Sequence, residues 1–249
     1  MKRTDVPPPA RERRSGRWAV GLRRMGRPPG VSKEDAPNVE GREALGPPSG
    51  FGQLWEKRYR APISADISAL DLMAFWKGHF EEMWPPDHRY FRGVAGLDPG
   101  EVSAIDIPVP GGTRLSSGVA VLHTGETSFT LVTARGHMFA GWITFSVEAD
   151  PGALTAQVLV NMRASDPLYE LGLRFGGHDR EDWFWSYTLR ELAHHFGEHP
   201  HVAVRRRLED RHRRWSAITN VWYNAWARTL VHRATRPVRQ LPGAFRRRD

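Results

Sequence analysis

Short β-type runs separated by turn sequences fill the middle of the chain, and this order constrains the fold more than any other feature. The turns read PGG at 110–112, TGE at 124–126 and DPG at 150–152. Connections this short join antiparallel neighbours, because a parallel crossover needs a dozen or more residues. The runs cover residues 102–109, 117–123, 127–133, 141–148 and 154–163. The sequence therefore predicts an antiparallel sheet.

Alternation within these runs predicts which face of the sheet is buried. Side chains two residues apart point to the same face. One face is apolar in four runs, whereas the opposite face is mixed, and this predicts a sheet that is covered on one side. The predicted buried face consists of Val119, Val121, His123, Phe129, Leu131, Thr133, Ile143, Phe145, Val147, Ala156, Val158, Val160 and Met162.

A long amphipathic helix follows the strands and is the predicted cover. Its apolar residues recur at i, i+4, i+7 and i+11, as Trp185, Leu189, Leu192 and Phe196. Asp179 is its predicted N-cap and Gly197 its predicted stop. Upstream, residues 55–63 predict a first strand and residues 67–84 predict a helix.

An insertion at residues 166–177 separates the last strand from the long helix. It contains Leu168, Leu171 and Phe175, which need burial. We therefore expect a short helix that packs over one end of the domain.

This order of elements resembles the START-like superfamily, also called SRPBCC or Bet v 1-like, and within it the polyketide-cyclase-like proteins of the DUF1990 type. The supporting segments are SAIDIPVPGG (103–112), GHMFAGWITFSV (136–147), RASDPLYELG (163–172) and DWFWSYTLRELAHHFG (182–197). The resemblance covers roughly residues 54–200. It implies an α+β helix-grip fold, in which a curved antiparallel sheet wraps around a long C-terminal helix. It also implies an internal cavity for an apolar or amphipathic small molecule.

Charge is sorted into three blocks along the chain. Residues 1–50 carry 11 Lys and Arg against 6 Asp and Glu, residues 51–201 carry 12 against 19, and residues 202–249 carry 13 against 3. The net charge of +8 therefore hides an acidic body between two basic ends. We predict a disordered basic arm (1–50), a helix-grip ligand-binding domain (51–201), and an extra basic amphipathic helix with a tail (202–249).

Composition and motifs exclude several function classes. The chain has no cysteine, which excludes disulfides, thiolate metal sites and cysteine nucleophiles and fits a reducing, cytoplasmic compartment. GxSxG, P-loop and GxGxxG patterns are absent, and the histidines at 194–201 do not form an HExxH motif. We therefore expect no cofactor and no metal, and we assign no catalytic residue.

Four polar residues on or near the predicted cavity allow two interpretations. His123, Arg135 and His137 come from consecutive hairpin segments, and Arg163 ends the last strand. They form either a cluster that binds a ligand carboxylate or phosphate, or a rim of exposed polar groups. The predicted ligand-binding residues are His123, Phe129, Leu131, Arg135, His137, Phe145, Val158, Met162, Arg163, Trp185 and Leu189.

The C-terminal segment combines tryptophan with arginine. Residues 204–236 are predicted to form one helix with Trp215, Trp222 and Trp226 along one face and arginines, including Arg214, on the other side. Such a helix either docks its tryptophans on the acidic body or lies at an anionic membrane surface, which would make the protein peripheral to the membrane. Another protein is a further candidate partner, and nucleic acid is a weaker one.

The function expected from these features is binding of an apolar or lipid-like small molecule without chemistry. One alternative is a cyclase- or hydrolase-type enzyme that uses the same cavity, with His123, Arg135 or His137 polarising the substrate. Another alternative is an interaction protein that acts through its C-terminal helix. An interior packed with large side chains would favour the interaction protein.

Overall fold

An antiparallel sheet of ten strands forms the centre of the molecule. The computed structural model describes residues 16–22, 24–28, 30–32, 36–93, 95–109, 113–150 and 153–239. Along the curved sheet the order is β10-β3-β9-β8-β7-β6-β5-β4, with β1 paired to β6 and β2 to β7. The strands are β1 (Arg17–Trp18), β2 (Ala44–Leu45), β3 (Leu54–Ile63), β4 (Arg89–Phe91), β5 (Val102–Val109), β6 (Thr113–Thr124), β7 (Ser128–Ala134), β8 (Phe139–Asp150), β9 (Ala153–Ala164) and β10 (Ala203–Asp210).

Four α-helices accompany the sheet. They are α1 (Ala69–Gly78), α2 (Pro167–Gly172), α3 (His178–His194) and α4 (Ala225–Arg239). Short 3-10 segments lie at Pro47–Ser49, Phe80–Met83 and Trp215–Tyr223, and one π-turn at Leu173–Gly177 joins α2 to α3. The element order predicted for residues 54–194 is confirmed, and the strands extend one to four residues beyond most of the predicted ends.

The start of the long helix differs from the prediction. Asp179 is not an N-cap, because α3 continues from α2 through a kink at Phe175 and Gly176. The cap lies at Asp166, whose carboxylate accepts hydrogen bonds from the backbone N–H groups of Leu168 and Tyr169. The predicted stop is confirmed, since Gly197 adopts a positive φ of 73° just after the helix.

The main core lies between the concave face of the sheet, α1 and α3. It contains ten of the thirteen side chains predicted for the buried face, and Ile143 packs at its margin. Trp185, Leu189 and Leu192 of α3 are buried in the same core, and Phe196 packs against it. The predicted helix-grip arrangement of sheet and helix is therefore confirmed.

A second apolar cluster covers the opposite, convex face of the sheet. Met25, Ala36 and Val39 from the N-terminal region pack on Ala120 and Val132 of β6 and β7. β1 and β2 also extend the sheet at β6 and β7. The part of the predicted disordered arm that the structure describes is therefore packed on the sheet, while residues 1–15 lie outside the described residues. The convex face carries small side chains, which let this backbone approach closely.

The C-terminal segment is not one helix. Residues 203–210 form edge strand β10 on β3, and the α-helix begins only at Ala225. The prediction was wrong because it treated the spacing of Leu208 and the tryptophans as the period of a single helix. Residues 203–210 instead pair with β3, and this pairing satisfies their backbone hydrogen bonds. Helix α4 packs against β6 on the convex face. There the buried Asn38 amide donates to Thr229 Oγ1 at 3.0 Å, which joins the two chain ends.

Independent folding of residues 51–201 stays a prediction. The contacts above lead us to expect that such a fragment would expose the second cluster and lack β10.

Replacing Val39 by Ala should test whether the N-terminal region stabilises the fold. Val39 is fully buried against the sheet, so removing two methyl groups should lower the free energy of unfolding by about 1–3 kcal/mol. Val20→Ala is the matched control, because Val20 is 99% exposed and its loss should change stability by less than about 0.5 kcal/mol. Chemical denaturation of the full chain measures both. Equal effects would mean that this region does not pack on the sheet.

Candidate functional site

Aromatic side chains occupy the space that the sheet and α3 enclose. Phe129 and Phe145 stack with their ring centroids 4.5 Å apart and an interplanar angle of 12°. Phe80 meets Phe145 edge-on at 5.0 Å, and Trp76 and Trp185 each meet it at 5.5 Å. The interior is thus a packed aromatic cluster with Phe145 at its centre.

Two indole N–H groups lie inside this aromatic interior without a hydrogen-bond acceptor among the described residues. They are the indole nitrogens of Trp76, which is fully buried, and Trp84, which is 8% exposed. A buried donor left unpaired costs about 1–3 kcal/mol. An acceptor atom of a bound molecule or of a water would relieve this cost.

A buried cluster of charged side chains lies at the N-terminal end of α3, where this helix faces β3. Lys57 shares the concave face with Tyr59 and has no exposed surface. Its ammonium donates to the Glu181 carboxylate at 2.7 Å, to the Asp182 carboxylate at 2.9 Å and to the His178 carbonyl at 3.2 Å. All three ammonium hydrogens are therefore used within the protein.

Two further groups complete this cluster. The Tyr59 hydroxyl donates to Asp182 at 2.7 Å, and Arg206 of β10 donates to both Asp182 and Asp179. The Arg206–Asp179 bond measures 2.5 Å. The cluster thus joins the first turn of α3 to two adjacent strands.

The environment shifts the pKa of both acidic partners of Lys57. Burial raises the pKa of Glu181, and the charge and hydrogen bond of Lys57 offset part of this effect. Burial also acts to raise the pKa of Asp182, but hydrogen bonds from Tyr59, Lys57 and Arg206 outweigh it, so the pKa is lowered. Both carboxylates therefore depend on Lys57 to stay ionised inside the protein.

Glu181 and Asp182 are neighbours in sequence at the start of a helix, a pattern typical of solvated charges, yet both are buried. A signal was present in the sequence, since Lys57 occupies the same alternating register as Tyr59, Ala61 and Ile63. A lysine at a buried strand position needs a carboxylate partner. The acidic start of the covering helix is where the sequence offers one.

Seven of the predicted ligand-binding residues lie together in the interior. They are the apolar ones, and all are buried in the main core: Phe129, Leu131, Phe145, Val158, Met162, Trp185 and Leu189. Their contact with a ligand stays a prediction.

His123 is not on the concave face, contrary to the prediction. A β-bulge between Val121 and His123 shifts the register, so that His123 lies opposite Thr130 instead of Phe129. Its ring then lies 4.5 Å from that of Trp18 in β1. The bulge therefore removes His123 from the enclosed space.

Arg135 and His137 lie in and beside the β7–β8 turn and have partners within the protein. Arg135 pairs with Glu43 at 2.7 Å and lies 4.6 Å from the Tyr223 ring centroid, between the two chain ends. His137 accepts a hydrogen bond from the Phe139 N–H at 3.0 Å, and burial lowers its pKa to about 4. Neither residue is part of a cavity cluster.

Arg163 is also used within the protein. Its guanidinium donates to the Gly52 carbonyl at 2.7 Å, to the His212 carbonyl at 2.9 Å and to Asp210 at 2.5 Å. Because Met162 faces the core, Arg163 points to the convex side of β9. It attaches the C-terminal segment to the sheet.

The C-terminal tryptophans are exposed although their segment is docked. Asn220, Asn224 and Thr229 form the buried side of the segment. Trp215 and Trp222 remain 67% and 76% exposed, and Trp226 is 36% exposed. The assumption that docking would bury the tryptophans was therefore wrong, since the polar and small side chains make the contact.

Metal binding and membrane spanning are two further properties on which the described ranges bear. Within them, no three His, Asp or Glu side chains come together as a metal-ion ligand set. Across the same residues no helix has both the length and the apolar character needed to span a membrane.

Replacing Lys57 by Met should leave two buried carboxylates without their main partner. Breaking a buried ion pair from one side costs about 3–5 kcal/mol, so the free energy of unfolding should fall by that amount at pH 7. The difference in the free energy of unfolding between wild type and Lys57→Met should become smaller on acidification. Protonation of Glu181, whose pKa is already raised, then removes one of the two buried negative charges. A loss in the free energy of unfolding below about 1 kcal/mol, which is typical of an exposed ion pair, would contradict this account.

His137 should make folding stability sensitive to acid. Its pKa is lowered from 6.5 to about 4 in the folded state, so the unfolded chain binds the proton more readily. The contribution of neutral His137 to folding stability is fully present above pH 6.5. As the pH is lowered from 6.5 to 4, the free energy of unfolding should fall by up to about 1.4 kcal/mol per pH unit. In His137→Asn, which keeps an acceptor for the Phe139 N–H, urea denaturation should show a shallower slope. Identical slopes would exclude His137 as the cause.

Solved structures with a similar chain path share little sequence with this protein. Ara h 8.0201 is 13% identical, with a TM-score of 0.43, and the match covers 57% of this chain and 97% of that one. A START superfamily protein from Mycobacterium smegmatis is 15% identical, with a TM-score of 0.39 and coverage of 59% and 98%. The di-domain ARO/CYC StfQ from the steffimycin biosynthetic pathway is 10% identical, with a TM-score of 0.44 and coverage of 58% and 50%.

No protein-family model and no curated protein matches the chain. The DUF1990-type assignment therefore stays a prediction. The concave sheet closed by α1 and α3 is nevertheless a helix-grip α+β fold, as the START-like resemblance of the sequence implies.

Proposed function

We propose that this protein binds an apolar or lipid-like small molecule between its sheet and α3 and does not catalyse a reaction on it. The observation that carries the proposal is the pair of unpaired indole N–H groups of Trp76 and Trp84 inside an aromatic interior. A ligand with an apolar body and one acceptor oxygen would match both features. Large aromatic side chains occupy this space, which is the feature expected of an interaction protein, and they have to move for a ligand to enter. The unpaired indole N–H groups are what favours a ligand nevertheless. Trp84 is the indole nearer to solvent.

Binding is favoured over catalysis by the state of the polar residues. Lys57 donates all its hydrogens to protein acceptors. His123 and Arg163 lie on the convex side, and Arg135 pairs with Glu43. With His123 and Arg135 outside the enclosed interior, binding is the function we propose in preference to a cyclase- or hydrolase-type reaction.

Replacing Trp84 by Phe should weaken ligand binding while keeping the ring packing. A fluorescent fatty-acid probe supplies an acceptor carboxylate, so loss of the indole N–H should weaken saturable binding by up to about tenfold. Trp222→Phe is the matched control on the surface and should leave binding unchanged. Equal binding in wild type and Trp84→Phe, or loss only in Trp222→Phe, would place the probe on the surface.

A second proposed function is attachment to an anionic membrane surface, as a peripheral protein of the cytoplasm. Leu168, Leu171 and Phe175 of the insertion are 49%, 53% and 82% exposed, contrary to the expectation that they are buried. Tyr169 accepts a hydrogen bond from the Trp226 N–H at 3.0 Å, which brings this insertion next to the exposed tryptophans. Together these apolar side chains make a surface suited to the membrane interface.

Arginines support the choice of an anionic partner. Arg211, Arg214 and Arg228 are exposed and have no carboxylate within ion-pair distance in the described part of the chain. Each cation near an anionic bilayer contributes about 1 kcal/mol.

Replacing Trp215 and Trp222 together by Ala should abolish sedimentation with anionic vesicles. The full chain should pellet with phosphatidylserine-containing vesicles at low salt, and added salt should weaken this association. Trp183→Ala is the matched control, since Trp183 is a 48% exposed tryptophan on α3. Retention of the wild-type chain in the supernatant would reject the membrane proposal and leave the ligand proposal intact.

A further inference from the structure

A surface pocket of about 520 Å³ lies outside the helix-grip interior. It forms where the C-terminal end of α1 meets the β6–β7 turn, the loop before β5 and strand β1. Its walls include the cations Lys77 and Arg17 and the carboxylates of Asp98 and Glu126. Leu97, which belongs to the main core, provides an apolar part of the wall. We call this space the Lys77 pocket.

Lys77 is a half-buried cation without a carboxylate partner. Its ammonium donates to the Gly125 carbonyl at 2.5 Å, and this is its sole hydrogen bond to the residues described. Glu126 lines the same pocket but makes no ion pair with it. Two of the three ammonium hydrogens therefore have no acceptor among the residues that the structure describes.

Arg17 adds a second positive charge to the pocket. It pairs with Asp98 at 2.6 Å, and both side chains are at least half exposed. Burial is the main cause that lowers the pKa of Lys77, and the charge of Arg17 lowers it further. The charge of Asp98 raises this pKa and offsets part of the shift. Burial lowers the pKa of His123 as well, followed by the charge of Lys77. Two cations and two carboxylates line the pocket, so the feature that favours an oxyanion is the set of unused donor hydrogens on Lys77 and not an excess of positive charge.

The walls also leave room beside the ammonium. Gly78 and Gly125 are both without side chains, and a Cβ atom at Gly78 would meet nothing within 4 Å. A planar or tetrahedral group with several oxygens can approach Lys77 from this side.

We propose that the Lys77 pocket binds the oxyanion group, phosphate or carboxylate, of a small molecule. One oxygen accepts the free hydrogens of Lys77, and a second oxygen shares the Arg17 guanidinium with Asp98. The apolar remainder of the molecule lies against Leu97. Because β1 supplies Arg17, the site is complete only when the N-terminal region is packed on β6. The site is separate from the interior and does not depend on the function proposed for that interior.

Amide chemical shifts of the full chain can test this proposal directly. Inorganic phosphate, acetate and glycerol 3-phosphate are titrated in turn at constant ionic strength, and the amides of Gly78 and Gly125 are followed. The site predicts a saturable shift of these signals with at least one probe. The probe with the lowest dissociation constant identifies the oxyanion, and tighter binding of glycerol 3-phosphate than of phosphate would show that the attached carbon chain contributes.

Variants separate a specific site from general anion attraction. Lys77→Met should weaken binding at least about tenfold, because it removes a charge-assisted hydrogen bond, whereas Lys77→Arg should retain it. Arg17→Gln, at a mostly exposed position that folding tolerates, should also weaken it. Arg205→Gln changes an exposed cation on β10, at the opposite edge of the sheet, and should have no effect. Absence of saturation with all three probes, or equal affinity in wild type and Arg17→Gln, would overturn the proposal.

Discussion

The buried ammonium of Lys57 is the constraint on which the arrangement of the sheet and α3 depends. Taking an ammonium out of water costs several kcal/mol unless charges and hydrogen bonds replace the lost solvent. Glu181, Asp182 and the His178 carbonyl supply them, so the first turn of α3 has to lie opposite Lys57. Arg206 donates to Asp182, one of these carboxylates, and to Asp179, and thereby places the edge strand β10. One charged group thus couples the positions of a helix and two strands.

Both faces of the sheet are covered, and this changes how the two chain ends should be understood. The concave face packs on α1 and α3, and the convex face packs on the N-terminal region and α4. Asn38 and Arg135 connect those two regions to each other. The described parts of both ends therefore belong to a third layer, and their exposed arginines are presented from a fixed surface. In the proposed attachment to a membrane, this fixed position would let the exposed tryptophans and arginines contact one surface together.

The packed aromatic interior and the exposed apolar surface suggest two sites with different requirements. The interior has unpaired donors at Trp76 and Trp84, and the proposed ligand would require side chains to move. The surface around Trp215 and Trp222 needs no rearrangement to meet a bilayer.

The sequence by itself determined the strands and α3, because alternation and helical spacing are local patterns that packing on a single apolar face preserves. It also determined the interior residues Phe129, Phe145 and Trp185. Only the tertiary structure decided the side of His123, since a one-residue bulge reverses a strand's faces without altering its composition. Tertiary contacts also decided that residues 203–210 pair with β3 and that Asn220 and Thr229 dock while the tryptophans stay exposed. Hydrogen bonds between distant segments outweighed local helical periodicity there, because buried polar groups must find partners wherever the chain supplies them.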